Sequence, residues 1–154
     1  MCPKIPPFPP REFATIDEIL AGGAPGHTLD DSVTECGIAL PGERAENPGK
    51  VYIVGGGPGA ADLLTLRAAR ALSEADVVLL DHLAPQEYGE YAPNALIIDV
   101  GKVPGKHAVP QSRIQQLMID YALAGKTVVR LKGGDPYVYG RGAEELDACI
   151  AAGV

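Results

Sequence analysis

No run in this 154-residue chain is apolar for long enough to cross a membrane, and the first residues, MCPKIPPFPPREF, lack the apolar stretch of a secretory signal. A cytoplasmic protein with no membrane partner is therefore expected. Cysteine is scarce: Cys2, Cys36 and Cys149 are odd in number and widely spaced, which implies neither a disulfide framework nor a zinc motif, and no metal is expected. Positive charge is in deficit, with 13 Lys and Arg against 20 Asp and Glu and a net charge of −7, so a nucleic-acid partner is not expected. No glycine run is followed by G-K-[ST], which excludes a Walker-type phosphate loop.

With 46% hydrophobic and 21% charged residues, the chain has the composition of a globular domain with an appendage. Residues 1–49 hold eight of the 14 prolines and eight acids against Lys4, Arg11 and Arg44, and read as a Pro-rich, acidic, mostly irregular arm. Their helical hint is ATIDEILAG, where Thr15 and Glu18 have capping-box spacing. From residue 50 to 154 the composition changes. VYIVGG (51–56), DVVLLD (76–81), ALIIDV (95–100) and KTVVRLK (126–132) read as buried strands. Helices are expected over 65–75 and 111–125, the second with Ile114, Leu117, Met118 and Tyr121 on one face, and a shorter one over 85–92. The alternation implies an α/β fold, a mostly parallel sheet with flanking helices, whose ligands bind at the carboxyl ends of the strands.

Two glycine loops lie at such ends. The stretch VVRLKGGDPYVYGRGAEE (128–145) runs from a strand into Gly133-Gly134, where bare backbone offers a surface for a flat ligand, then Asp135 before Pro136, and then a helix opened by Glu144-Glu145. Glu145 is read as favouring that helix start, and Tyr137 and Tyr139 as packing the loop. Earlier, Gly55, Gly57 and Ala60 satisfy a G-x-G-x-x-A dinucleotide pattern, with Asp81 near the place of a ribose-binding acid. Pro58 weakens that reading because it removes a backbone N–H from the turn that should bind pyrophosphate. A smaller adenosine ligand without phosphate could use both loops.

GGGPGAADLLTLRAARALSEADVVLLDHL, VGKVPGKH and VVRLKGGDPYVYGRGAEEL together resemble the uroporphyrinogen-III C-methyltransferases of the tetrapyrrole methylase superfamily, over residues 51–154. The resemblance implies the amino-terminal domain of a two-domain α/β fold, the second domain being absent from this sequence, with S-adenosylmethionine (S-adenosyl-L-methionine) as methyl donor. The implied reaction is C-methylation of uroporphyrinogen III to precorrin-2, on the route to siroheme and cobalamin. The full-length family fold is implied to be homodimeric. Carried over by motif, Pro58, Gly133, Gly134, Asp135 and Val138 would contact the cofactor. Asp81 would be the proton acceptor, Lys102 the proton donor, and Arg141 and Glu144 would bind the tetrapyrrole substrate or move protons. Where the family usually has Asp-Pro, Arg and Arg-Ala, this chain has Ala60-Ala61, His82 and Val103-Pro104. Two alternatives are a non-catalytic fragment needing a partner chain and a methyltransferase for another corrin precursor.

Residues 101–141 invert the overall charge: Lys102, Lys106, Arg113, Lys126, Arg130, Lys132 and Arg141 face only Asp120 and Asp135. This basic stretch is expected to suit a substrate that carries many carboxylates. Simpler roles compete: Asp81 capping a strand end, Lys102 as a solvated loop lysine and His107 as a polar loop residue.

Overall fold

Every segment expected as a strand is one in the computed structural model, which describes residues 14–15, 44–84, 86–101 and 109–154. In chain order the strands are β1 (Ala14–Thr15), β2 (Lys50–Gly55), β3 (Val77–Leu80), β4 (Leu96–Asp99) and β5 (Thr127–Lys132). The last four agree with the sequence reading to within a residue at each end. The helices are α1 (Leu66–Ser73), α2 (Gln111–Leu123) and α3 (Gly142–Ala152). The shorter helix expected at 85–92 is a 3-10 segment, Gln86–Tyr91, which Gly89 and Pro93 keep from lengthening into an α-helix.

All strand pairs are parallel, in the order β1-β4-β3-β5-β2. Parallel strands covered on both faces need apolar side chains pointing both ways, which explains why β3 reads Val-Val-Leu-Leu and is buried throughout. One core lies between the sheet and α2 and α3, where Val77, Leu79, Ile98 and Val128 meet Ile114, Leu117, Met118, Tyr121 and Cys149. The other lies between the sheet and α1 with the 3-10 segment, where Val78, Leu80, Val129 and Leu131 meet Ala71, Leu72 and Tyr88. Each fully buried Val, Leu, Ile or Met contributes about 1.5–3 kcal/mol relative to exposure. The apolar face assigned to α2 from its spacing is the face it buries.

The arm requires a correction. Ala14 and Thr15, inside the stretch with the helical hint, are extended and pair with Ile98 and Asp99 of β4. An open strand edge presents unpaired N–H and C=O groups, and β1 satisfies part of that edge. The rest of residues 1–43 lies outside the described residues, as do Lys102 and His107.

Candidate functional site

Parallel strands bring their carboxyl ends to one side of the sheet, and there the loops after β2 and β5 are joined. The N–H of Gly134 donates to the C=O of Gly57 at 3.0 Å, and the two residues form an isolated antiparallel bridge. Gly134 has φ of +66°, which L side chains rarely adopt, and no atom lies within 4 Å of where its Cβ would be. Next to it, a Cβ on Gly133 would lie 2.7 Å from Leu83 Cβ and 2.9 Å from Leu83 O, so the loop after β3 also closes on this point. The hydroxyl of buried Tyr88 donates to Gly56 O and pins the first loop.

A groove of about 1040 Å³ runs beside the joined loops, lined among others by Tyr52, Val54, Pro58, Arg67, Gly134 and Asp135. A dinucleotide site would need a helix N-terminus directly after the first loop. Instead a 3-10 turn, Ala61–Leu63, intervenes, and α1 is capped by its own Thr65, whose Oγ1 accepts the Ala68 N–H at 3.1 Å. The first loop therefore does not lead directly into a helix N-terminus.

Asp135 turns its own loop: Oδ1 accepts the Tyr137 N–H at 2.8 Å and the backbone C=O accepts the Val138 N–H at 3.2 Å. Beyond it, Tyr137, Val138 and Tyr139 are exposed, contrary to the expectation that the tyrosines pack the loop. The chain doubles back on backbone, with the Gly142 N–H donating to Pro136 O at 2.9 Å, and leaves no interior for an aromatic ring. Tyr139 and Arg141 both have positive φ, 54° and 57°. Arg141 and Glu144 pair with each other in a fork, Nε to Oε1 at 2.9 Å and Nη2 to Oε2 at 2.6 Å. That contact holds the Glu144 carboxyl below its usual range and raises the Arg141 guanidinium.

Asp81 follows β3 directly, its N–H donating to Leu131 O at 3.0 Å. Its Oδ2 lies 3.3 Å from Nη2 of Arg130. Arg130 is 2% exposed, and its Nε is 3.2 Å from Oε1 of Glu145, which is 0% exposed. Lys132, 3% exposed, brings Nζ to 3.3 Å from Glu145 Oε2, close enough for attraction but without hydrogen-bond geometry at that oxygen. Gln111 of α2 donates to Glu145 Oε1 at 2.9 Å. Burial, with Arg130 nearby, pushes the Lys132 amine down, and Glu145 partly offsets this. Register explains the cluster: Arg130 is opposite Leu79, and alternation sends Val128, Arg130 and Lys132 to the face covered by α2 and α3.

Two expectations change here. Of the seven cations in the basic stretch, Arg130 and Lys132 are inside and neutralised by Asp81 and Glu145, and Arg141 is paired with Glu144. Arg130 and Lys132 are not part of an open basic surface, because β5 is covered on both faces. Glu145 does not merely suit a helix start: it is the buried counter-charge of two cations. Pro58, Gly134 and Asp135 share one groove, while Gly133 leans on Leu83, two residues from Asp81. Val138 lies on the exposed loop. Among the described residues, no cluster of side chains could hold a metal ion, and no helix is long and apolar enough to cross a membrane.

The family model for tetrapyrrole (corrin/porphyrin) methylases matches residues 50–154. The chain belongs to the tetrapyrrole methylase family. Siroheme synthase 1 of Klebsiella pneumoniae is 54% identical over 107 residues, 69% of this chain and 23% of that protein. Uroporphyrinogen-III C-methyltransferase of Bacillus subtilis is 50% identical over 107 residues, 69% of this chain and 42% of that protein. The crystal structure of uroporphyrin-III C-methyltransferase from Thermus thermophilus complexed with S-adenosyl homocysteine has 46% identity and a TM-score of 0.60, covering 69% of this chain and 45% of that one. The tetrapyrrole methylase chain thus spans less than half the length of each relative.

Proposed function

We propose that residues 50–154 are the cofactor-binding part of an S-adenosylmethionine-dependent uroporphyrinogen-III C-methyltransferase that makes precorrin-2 in the cytoplasm, with residues 1–49 as an appended arm. The observation that carries this reading is the bridge between Gly57 and Gly134, which makes one cradle of two glycine loops and sets Pro58 and Asp135 along the same groove. The cradle suits adenosine better than a phosphate: it has bare backbone and a proline, and a 3-10 turn separates the first loop from α1.

In this reading Pro58, Gly133, Gly134, Asp135 and Val138 bind and orient the cofactor. When bound, S-adenosylmethionine supplies an electrophilic methyl group that leaves sulfur for a ring carbon of the tetrapyrrole. Asp81, which follows β3 at the carboxyl end of the sheet, takes the proton that the methylated ring carbon must lose. Lys102 is the proton donor. Arg141 binds a substrate carboxylate by exchanging its partner Glu144 for it, since both are exposed and their fork has the geometry that carboxylate recognition requires.

Calorimetric titration of the chain with S-adenosylhomocysteine, with NAD as control, tests this. Binding of the former alone is expected; binding of NAD alone would overturn it. Turnover with other corrin precursors in place of uroporphyrinogen III would reassign the substrate. A second reading makes the chain a fragment that acts only with a complementary polypeptide. Its support is β2, which ends the sheet order and has no strand on its outer edge among the described residues. Such an edge accepts an added strand, and mixing with that polypeptide should then restore methyl transfer.

A further inference from the structure

A carboxylate that removes a proton from carbon must be held at one place and angle, yet Asp81 lies at the partly exposed end of β3, where a short acidic side chain has freedom to turn. What restrains it is inside the protein. Nη2 of Arg130 holds Oδ2 at 3.3 Å, while Oδ1 has no hydrogen-bond partner among the described residues. Arg130 can restrain Asp81 only if its own guanidinium is fixed. Its Nη1 reaches the carbonyls of Leu79 and Leu131 at 3.3 and 3.4 Å, and its Nε reaches Glu145 at 3.2 Å. Glu145 is itself anchored by Gln111 and by Lys132. Burying a carboxylate with two cations is costly, and apolar packing could fill the same space. The arrangement therefore calls for an explanation beyond stability.

We propose that Glu145 is a positioning residue: by fixing Arg130 it sets the carboxylate of Asp81, holding one of its two oxygens in place. This rests on the reading of Asp81 as the proton acceptor. The chain of contacts runs from Glu145 on α3 through Arg130 on β5 to Asp81 at the end of β3.

The test uses the full 154-residue chain and two readouts, one independent of turnover. Nitrogen-detected NMR of the arginine side chains should show Arg130 Nη1 and Nη2 as separate, slowly exchanging signals, which merge in Glu145→Gln. At fixed neutral pH the Asp81 Cγ signal should move in the same variant. If the Arg130 signals stay separate and Asp81 Cγ stays in place, the proposal is overturned. If Glu145→Gln does not fold, the apolar variant Arg130→Met, Lys132→Met, Glu145→Met removes the network without leaving a charge unpaired. An unmoved Asp81 Cγ in that variant overturns the proposal equally. In methyl-transfer assays the apolar variant should lose about a hundredfold in kcat while binding S-adenosylhomocysteine within about twofold of wild type. A merely structural network would leave kcat intact once the variant folds. Absence of methyl transfer in the wild-type chain would count against the function proposed for it, and the NMR result would still decide the role of Glu145.

Discussion

The two faces of the sheet solve the same burial problem by different means. Toward α1, β5 presents Val129 and Leu131 to Leu72, Ala71 and Tyr88, and no charged side chain is buried on this face among the described residues. Toward α2 and α3 it presents Val128, Arg130 and Lys132, so that face begins as a core of Met118, Leu117 and Ile98 and ends as a buried ion network. The apolar face needs only volume and shape, and its stability follows from area removed from water. The charged face needs every member present, because a lone buried charge costs far more than the matched set contributes. The network sits at the end of the sheet where the loops carrying Pro58 and Asp135 meet. Stability alone would have been met by more leucine.

Removing Glu145 should be the most damaging single change. Glu145→Ala leaves Arg130 and Lys132 buried beside each other and is expected to cost about 3–5 kcal/mol in urea unfolding. On the other face, Leu72→Ala should cost about 3 kcal/mol, within the range for a leucine deleted from a packed core. The sharper expectation concerns repair. Restoring apolar volume near Leu72 should recover stability, whereas Glu145→Ala should be repaired only by also neutralising Arg130 and Lys132. If Glu145→Ala unfolds at the wild-type midpoint, the two faces do not differ in kind.

Much of this was legible in the chain. β3 is a short apolar run between Asp76 and Asp81, and α2 repeats its apolar side chains at helical spacing between Pro110 and Gly125, so local chemistry and fold agree. The ion network was less legible, although half of its signal was present. A segment read as a buried strand that carries Arg130 and Lys132 two residues apart must find a counter-charge on the same face, and this conflicts with counting those residues toward an open basic surface. Which acid answers them is set by the packing of α3. Glu144 and Glu145 are adjacent in sequence, but about 100° of helical rotation sends one to solvent and the other to the core. The exposed tyrosines were misread because the fold of 136–142 on its own backbone depends on positive φ at Tyr139 and Arg141, which no propensity favours.

Alkaline pH should distinguish the faces next. Cys149, on the charged side, has its thiol raised above the ordinary 9.0 by burial first and by Glu145 second. A raised thiol contributes stability that is fully present below 9.0 and is lost as pH climbs through its folded value, by at most about 1.4 kcal/mol per pH unit. Lys132 works against this: its amine is lowered from 10.5, so its stabilising contribution is present above 10.5 and is lost as pH falls through its folded value. Denaturation midpoints at successive pH values above neutrality should therefore fall more steeply for wild type than for Cys149→Ala. Parallel curves would mean that the thiol is not held in the low-dielectric core.

The smallest effect should come from a pair with the same chemistry in a different place. Arg141 and Glu144 contact each other more closely than Arg130 and Glu145 do, 2.6 Å against 3.2 Å at the nearest approach, yet their side chains are 54% and 52% exposed rather than 3% and 0%. Water already solvates both charges in the exposed pair, so breaking it strands nothing. Arg141→Gln should leave the unfolding midpoint where it was at any salt concentration, while weakening the affinity for a polycarboxylate tetrapyrrole if Arg141 exchanges Glu144 for a substrate carboxylate. A midpoint that falls as far as that of Glu145→Ala would make distance, not burial, the governing variable. An unchanged midpoint with unchanged tetrapyrrole affinity would leave the fork as a surface contact and move substrate recognition elsewhere.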